Sequence, residues 1–138
     1  MSLPVVSGEV KILAENDIVV ARRAVREAAL YLGFESTDTT RIVTGASELA
    51  RNIFKYAGTG MMHWRLIKNG DMQGLELKFE DQGPGIANLD QALREGYSSS
   101  GGLGMGLPGT KRLMDEMEIK TAQGKGTTII VRKWKRKV

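Results

Sequence analysis

The chain has 138 residues, 41% hydrophobic and 26% charged, with a net charge of +4, which fits one ordinary globular domain rather than a disordered or membrane-spanning chain. It has no cysteine and a single histidine, His63, so disulfide frameworks and thiolate metal centres are excluded and a histidine-built metal site is disfavoured. No apolar run approaches the ~18 residues of a bilayer span, and "MSLPVVSGEV" lacks the basic-then-apolar layout of a secretory signal, so a cytoplasmic protein that does not enter membranes is expected.

Taken in order, "EVKIL" alternates as a strand. Asn16 or Asp17 can cap a helix to about Leu32, with Ile18, Ala21, Val25, Ala29 and Leu32 near one face and Gly33 as its stop. A second helix is expected from Asp38 to Ala57, capped by Thr37 or Asp38 and ended by Gly58 and Gly60. Its apolar stripe is Ile42, Ala46, Leu49, Ile53 and Ala57. Strands Met61 to Lys68 and Leu75 to Asp81 then form a hairpin around "NGDMQG". Residues 82–106 are rich in glycine and serine, with one short helix expected from Leu89 to Arg94. A further helix, Leu107 to Met117, holds Pro108 in its first turn, where a missing N–H does no harm. Strands "EIKTA" and "TTIIVRKW", joined through "QGKG", complete the chain.

There is no repeat or linker, so residues 1–138 are expected to be one domain. Strands early and late with helices between them imply an α/β two-layer sandwich, its sheet mixed but mostly antiparallel, with the helices on one face. The other face could meet solvent or serve a dimer or a larger signalling assembly. A loop of some two dozen residues in so compact a chain suggests a functional lid.

Three stretches could carry chemistry. In "LELKFED" the alternation places Asp81 on the side of Leu75, Leu77 and Phe79. An inward carboxylate needs donors, such as the amino group of a base; the alternative is an aspartate that caps the turn "QGPG". Gly83 and Gly85 would let a planar ligand approach the backbone. Glu48 and Asn52 are four apart, on one helix stripe at the edge of the core face. Asn52 offers an oxygen suited to Mg²⁺ and Glu48 a base, or both are plain polar residues on a half-exposed flank. In "SSSGGLGMGLPGTKRL", glycines 101, 102, 104 and 106 precede a helix whose unpaired N–H groups favour an anion such as a polyphosphate. This stretch is neither a Walker motif nor a dinucleotide fingerprint.

The order of these pieces resembles the N, G1 and G2 boxes of the GHKL ATPase and kinase superfamily, whose ATP-binding architecture is the Bergerat fold. More narrowly, "ASELARNIFKYAG", "EDQGPGI" and "SSSGGLGMGLPGTKRLMDE" look like the RsbT-type switch serine/threonine-protein kinases of bacterial stress signalling, relatives of anti-sigma factor kinases. The resemblance extends from about Lys11 to Trp134. It implies ATP and Mg²⁺ as cofactors, with Glu48 as candidate catalytic base, Asn52 as Mg²⁺ ligand and Asp81 on the adenine amino group. Gly83 and Gly85 would lie beside the base, and Gly101, Gly102, Leu103, Gly104, Met105 and Gly106 would line the phosphates. It also implies a serine or threonine on a STAS-domain antagonist as phosphate acceptor, and a phosphatase or other regulator as downstream partner. The alternative function is an anti-sigma or regulatory binding module that holds ATP and mainly sequesters its partner.

Other features receive plain readings. The tail "RKWKRKV" carries five basic residues and reads as a solvated strand end rather than a nucleic-acid site, because no aromatic interleaving continues upstream. Trp64 and Trp134 read as packing residues on strands, and His63 as exposed and not catalytic.

Overall fold

The computed structural model describes residues 6–85 and 106–136. Five strands, β1 (Ser7–Ile12), β2 (Gly60–Asn69), β3 (Met72–Asp81), β4 (Glu116–Thr121) and β5 (Thr127–Trp134), form one sheet in the order β1-β2-β3-β5-β4. Every described pairing is antiparallel. Helices α1 (Asn16–Leu32), α2 (Ser36–Tyr56) and α3 (Gly106–Leu113) complete the described elements. The result is the expected two-layer sandwich.

The layering follows from period two. Leu75, Leu77 and Phe79 on β3 are buried, and the register sets Leu77 opposite Trp64 and Val131, and Phe79 opposite Met62 and Ile129. Onto this face α2 lays Ile42, Ala46, Leu49 and Ile53, all buried. Each large aliphatic side chain removed from water in this contact contributes about 1.5–3 kcal/mol. α1 adds Ile18, Ala21, Val25, Ala28 and Ala29. Its stop is as expected: Gly33 adopts φ 90°, and its N–H donates to the carbonyls of Ala29 and Leu30. Among the described residues, no helix is long and apolar enough to cross a membrane.

Several local expectations give way to tertiary contacts. Neither Asn16 nor Asp17 caps α1 from the N-cap position, which Glu15 occupies. Instead Asp17 Oδ2 accepts the N–H groups of Leu13 and Ala14 in the preceding turn. α2 begins at Ser36, after Glu35 in an extended conformation, and no side chain caps it. Asp38 lies in its first turn, buried and paired with Arg41. β3 starts at Met72, so the hairpin turn is only Gly70 and Asp71, with Gly70 at φ 62°. α3 stops at Leu113 rather than Met117, because Glu116 and Met117 pair with Arg132 and Val131 as the start of β4. Strand pairing outcompetes a last helical turn there. The expected helix Leu89 to Arg94 lies outside the described residues.

The face away from the helices is polar but organised. Glu76 is buried; its carboxylate accepts Arg65 Nε at 2.6 Å and Arg132 Nε at 2.8 Å. Arg132 also pairs with Glu116 at 3.1 Å and Glu118 at 2.7 Å. His63 Nε2 lies 2.7 Å from Glu80 and Nδ1 3.3 Å from Glu9. Only the first residues of the tail depart from the expected solvated state: Arg132 is held in this network and Lys133 is buried on the opposite face, while Arg136 is exposed. Trp64 faces the helices against Gly8, while Trp134 is on the polar face with its Nε1–H donating to Glu116.

Candidate functional site

The site is built around α2 and the end of β3. Asp81 is opposite Gly60 on β2 and Thr127 on β5, on the helix side of the sheet. Its Oδ1 accepts the N–H of Gly83 at 2.8 Å. The inward carboxylate and the turn cap, alternatives in the sequence, therefore coexist: one oxygen closes the turn, and no described residue engages Oδ2.

The glycines after Asp81 serve the backbone. A Cβ on Gly83 would stand 2.7 Å from the Cβ of Ala57 at the end of α2. Gly85 has φ 76°, and a Cβ there would run into the carbonyl of Ala122. Gly124 N–H donates to the Pro84 carbonyl at 2.7 Å. Residues 81–85 are thus clamped between the C-terminal end of α2 and the β4–β5 turn.

On α2, Gly45 packs against α3, its ideal Cβ position lying 3.6 Å from Met114 Sδ and 3.7 Å from Thr110 Cγ2. Glu48 and Asn52 follow three and seven residues later, on the same side of the helix at ~3.6 residues per turn. Both are half-buried, and neither is engaged by another described residue. The stripe therefore leaves the α3 contact and descends toward the end of α2 that touches Gly83. α3 itself opens with Gly106 at φ 67° and keeps Leu107, Pro108 and Thr110 buried. The Thr110 hydroxyl donates to the Gly106 carbonyl at 3.1 Å. As in any helix, the first-turn N–H groups lack intrahelical partners. Gly101, Gly102, Leu103, Gly104 and Met105 lie outside the described residues.

Sequence reasoning missed Thr127 and Thr121. Thr127 is the direct cross-strand partner of Asp81, and its Oγ1 lies 3.0 Å from Thr121 Oγ1. The alternation that turns Ile129 and Val131 inward would have placed Thr127 on that face too.

Chemically, the arrangement offers one acceptor at the strand end, and an amide oxygen and a carboxylate on α2. The Asn52 oxygen suits a cation that keeps water or phosphate in most of its coordination sphere, as Mg²⁺ does, and the Glu48 carboxylate one turn away suits a base. No three or more His, Cys, Asp or Glu residues group together into a metal site among the described residues, so an all-protein cage is not what these residues build. The donor set fits a metal delivered with a phosphate ligand.

Comparison with known proteins gives the family of the chain. A family model described as the histidine kinase-like ATPase domain matches residues 13–133. The chain is 48% identical, over 92% of its length and 96% of the relative's, to the serine/threonine-protein kinase RsbT of Bacillus subtilis (strain 168). It is 29% identical to the anti-sigma F factor of Oceanobacillus iheyensis over 88% of this chain and 86% of that one. Among solved structures, the RsbU and RsbW domains of Rv1364c from Mycobacterium tuberculosis align with a TM-score of 0.67 at 18% identity. That alignment takes in 98% of this chain and 34% of the other. The mycobacterial sensor histidine kinase MprB aligns with a TM-score of 0.55 at 20% identity, over 96% of this chain and 100% of that one. At such identities the structural matches establish the fold alone.

Proposed function

We propose a function from one premise: the chain belongs to the histidine kinase-like ATPase domain family. It is an ATP-dependent protein serine/threonine kinase of a bacterial partner-switching module, with residues 1–138 acting as a single domain. The observation that supports this reading best is the polar stripe of Glu48 and Asn52, which leaves the α3 contact at Gly45 and runs toward the helix end touching Gly83. The 48% identity to a protein kinase over nearly its whole length gives the reaction class.

In this reading Asp81 Oδ2 accepts the amino group of adenine while Oδ1 keeps the turn closed, and Gly83 and Gly85 hold the backbone beside the base. Asn52, with Glu48 one turn away, holds Mg²⁺, which when bound neutralises phosphate charge as a Lewis acid. Gly101, Gly102, Gly104 and Gly106 and the first N–H groups of α3 receive the phosphates, with Leu103 and Met105 beside them. Glu48 accepts the proton of the acceptor hydroxyl as its oxygen bonds to the γ-phosphorus and the bond to the β–γ bridging oxygen breaks, releasing ADP. Positioning and charge stabilisation suffice for this chemistry, and no covalent enzyme intermediate is required. The acceptor is a serine or threonine of a STAS-domain antagonist, and its phosphorylation redirects the chain to a phosphatase or another regulator.

The test is transfer of labelled γ-phosphate from ATP to a STAS-domain protein. Label on the acceptor with the wild type and none with Asn52→Ala supports the kinase. ATP binding without transfer to any acceptor would favour the second reading, a regulatory module that sequesters its partner, to which the similarity to an anti-sigma F factor points.

A further inference from the structure

Lys133 is a buried cation that the proposed reaction leaves unused. It shares the inward register of Ile129 and Val131 on β5 and is 4% exposed. Its Nζ donates to the carbonyl of Leu113, the last residue of α3, at 3.0 Å. It also stands 3.6 Å from Asp115 Oδ1 and 3.8 Å from Asp38 Oδ1. One ammonium group thereby ties together the end of α3, the connection into β4 and the first turn of α2.

A buried ammonium is costly unless paired. The two acids each have a second partner: Asp38 has Arg41 at 3.2 Å, and Asp115 Oδ2 has the backbone N–H of Trp134 at 2.8 Å. The carbonyl at the helix C-terminus is one of those a helix cannot satisfy itself, and a cation there also complements the helix dipole. α3 has eight residues, short of the ~12–15 at which a helix is stable alone in water. Its position is therefore set by what holds it: Thr110 and Met114 against Gly45 of α2, and Lys133 at its last carbonyl.

We propose that Lys133 is a positioning residue for the phosphate end of the nucleotide site: by anchoring the C-terminal end of α3 it aims the N–H groups at the other end of that helix. This rests on the nucleotide-binding reading above. Lys133 lies about 20 Å along β5 from Thr127, the partner of Asp81, at ~3.3 Å per strand residue. Its removal should therefore disturb the phosphate contacts and spare the adenine contact.

The test compares Mg²⁺-ATP and adenosine binding by calorimetry in the full chain. Lys133→Met is expected to weaken ATP at least tenfold and adenosine less than twofold, with Lys133→Arg, which can still donate to Leu113, restoring ATP affinity to within threefold. Equal losses for the two ligands reveal a general stability role and overturn the proposal, as does unchanged ATP affinity. If Lys133→Met does not fold, Asp115→Asn decides. This variant loosens the hold on the ammonium without removing it, so a loss of about threefold confined to ATP supports the anchor, and two unchanged affinities overturn it. A wild-type chain that binds neither ligand overturns the nucleotide reading itself.

Discussion

Gly83 meets Ala57 so closely that a Cβ on the glycine would lie 2.7 Å from the alanine Cβ and 3.1 Å from Asp81 Oδ1. This contact seats the end of β3 on the end of α2, and it sets how far Asp81 lies from Asn52. Gly83→Ala should therefore force the two elements apart and cost about 1–3 kcal/mol, the usual range for overpacking a tight contact. Thermal unfolding would show a lower Tm. The double variant Gly83→Ala/Ala57→Gly should recover much of the loss, and no recovery would mean that the contact is not the cause.

Asn52→Ala should abolish Mg²⁺-dependent ATP binding and phosphotransfer while leaving the circular dichroism spectrum and Tm close to wild type, because Asn52 engages no described residue. Glu48→Gln should instead keep ATP affinity and lower kcat by about 10²–10⁴, the usual contribution of a general base. Unchanged nucleotide affinity in Asn52→Ala, measured by calorimetry, would remove Asn52 from the site.

Asp81→Asn separates the turn from the ligand. An asparagine oxygen can still accept the Gly83 N–H that Oδ1 now takes at 2.8 Å, so the fold should persist. Its second atom becomes a donor facing the adenine amino group, itself a donor. ATP affinity should fall about tenfold, equivalent to ~1.4 kcal/mol, and the preference for ATP over GTP should shrink. A wild type that binds both nucleotides equally would refute the role assigned to Asp81.

On the polar face, the hydrogen bond from Arg65 holds the Glu76 carboxyl below its ordinary value of 4.5 against the opposing effect of burial, with Arg132 adding to the shift. A carboxyl whose folded value is depressed stabilises the fold above its unfolded value and loses that contribution as pH falls through the folded one. Stability should therefore drop as pH falls below about 4.5. Glu76→Gln should be less stable than wild type at neutral pH by about 1–3 kcal/mol, typical of a lost hydrogen-bonded charge, with the gap closing in acid. Parallel stability curves for the two proteins across that range would show that Glu76 contributes nothing through its charge.

The element types, their order and the inward face of β3 were legible in the amino-acid sequence, because period two and period 3.6 are local properties and "LELKFED" and the α2 stripe display them without interruption. The inward side of Asp81 and the shared helix side of Glu48 and Asn52 were legible as well, since spacing in a strand and in a helix assigns each of these a side. What only the tertiary structure decided is where pairing across the sheet overrides local preference. Met117 left a helix for β4, Glu76 became buried once Arg65 and Arg132 converged on it from neighbouring strands, and Lys133 turned from a solvated tail residue into the anchor of α3. Each depends on partners distant in the chain, and no local pattern encodes the charge that will stand opposite.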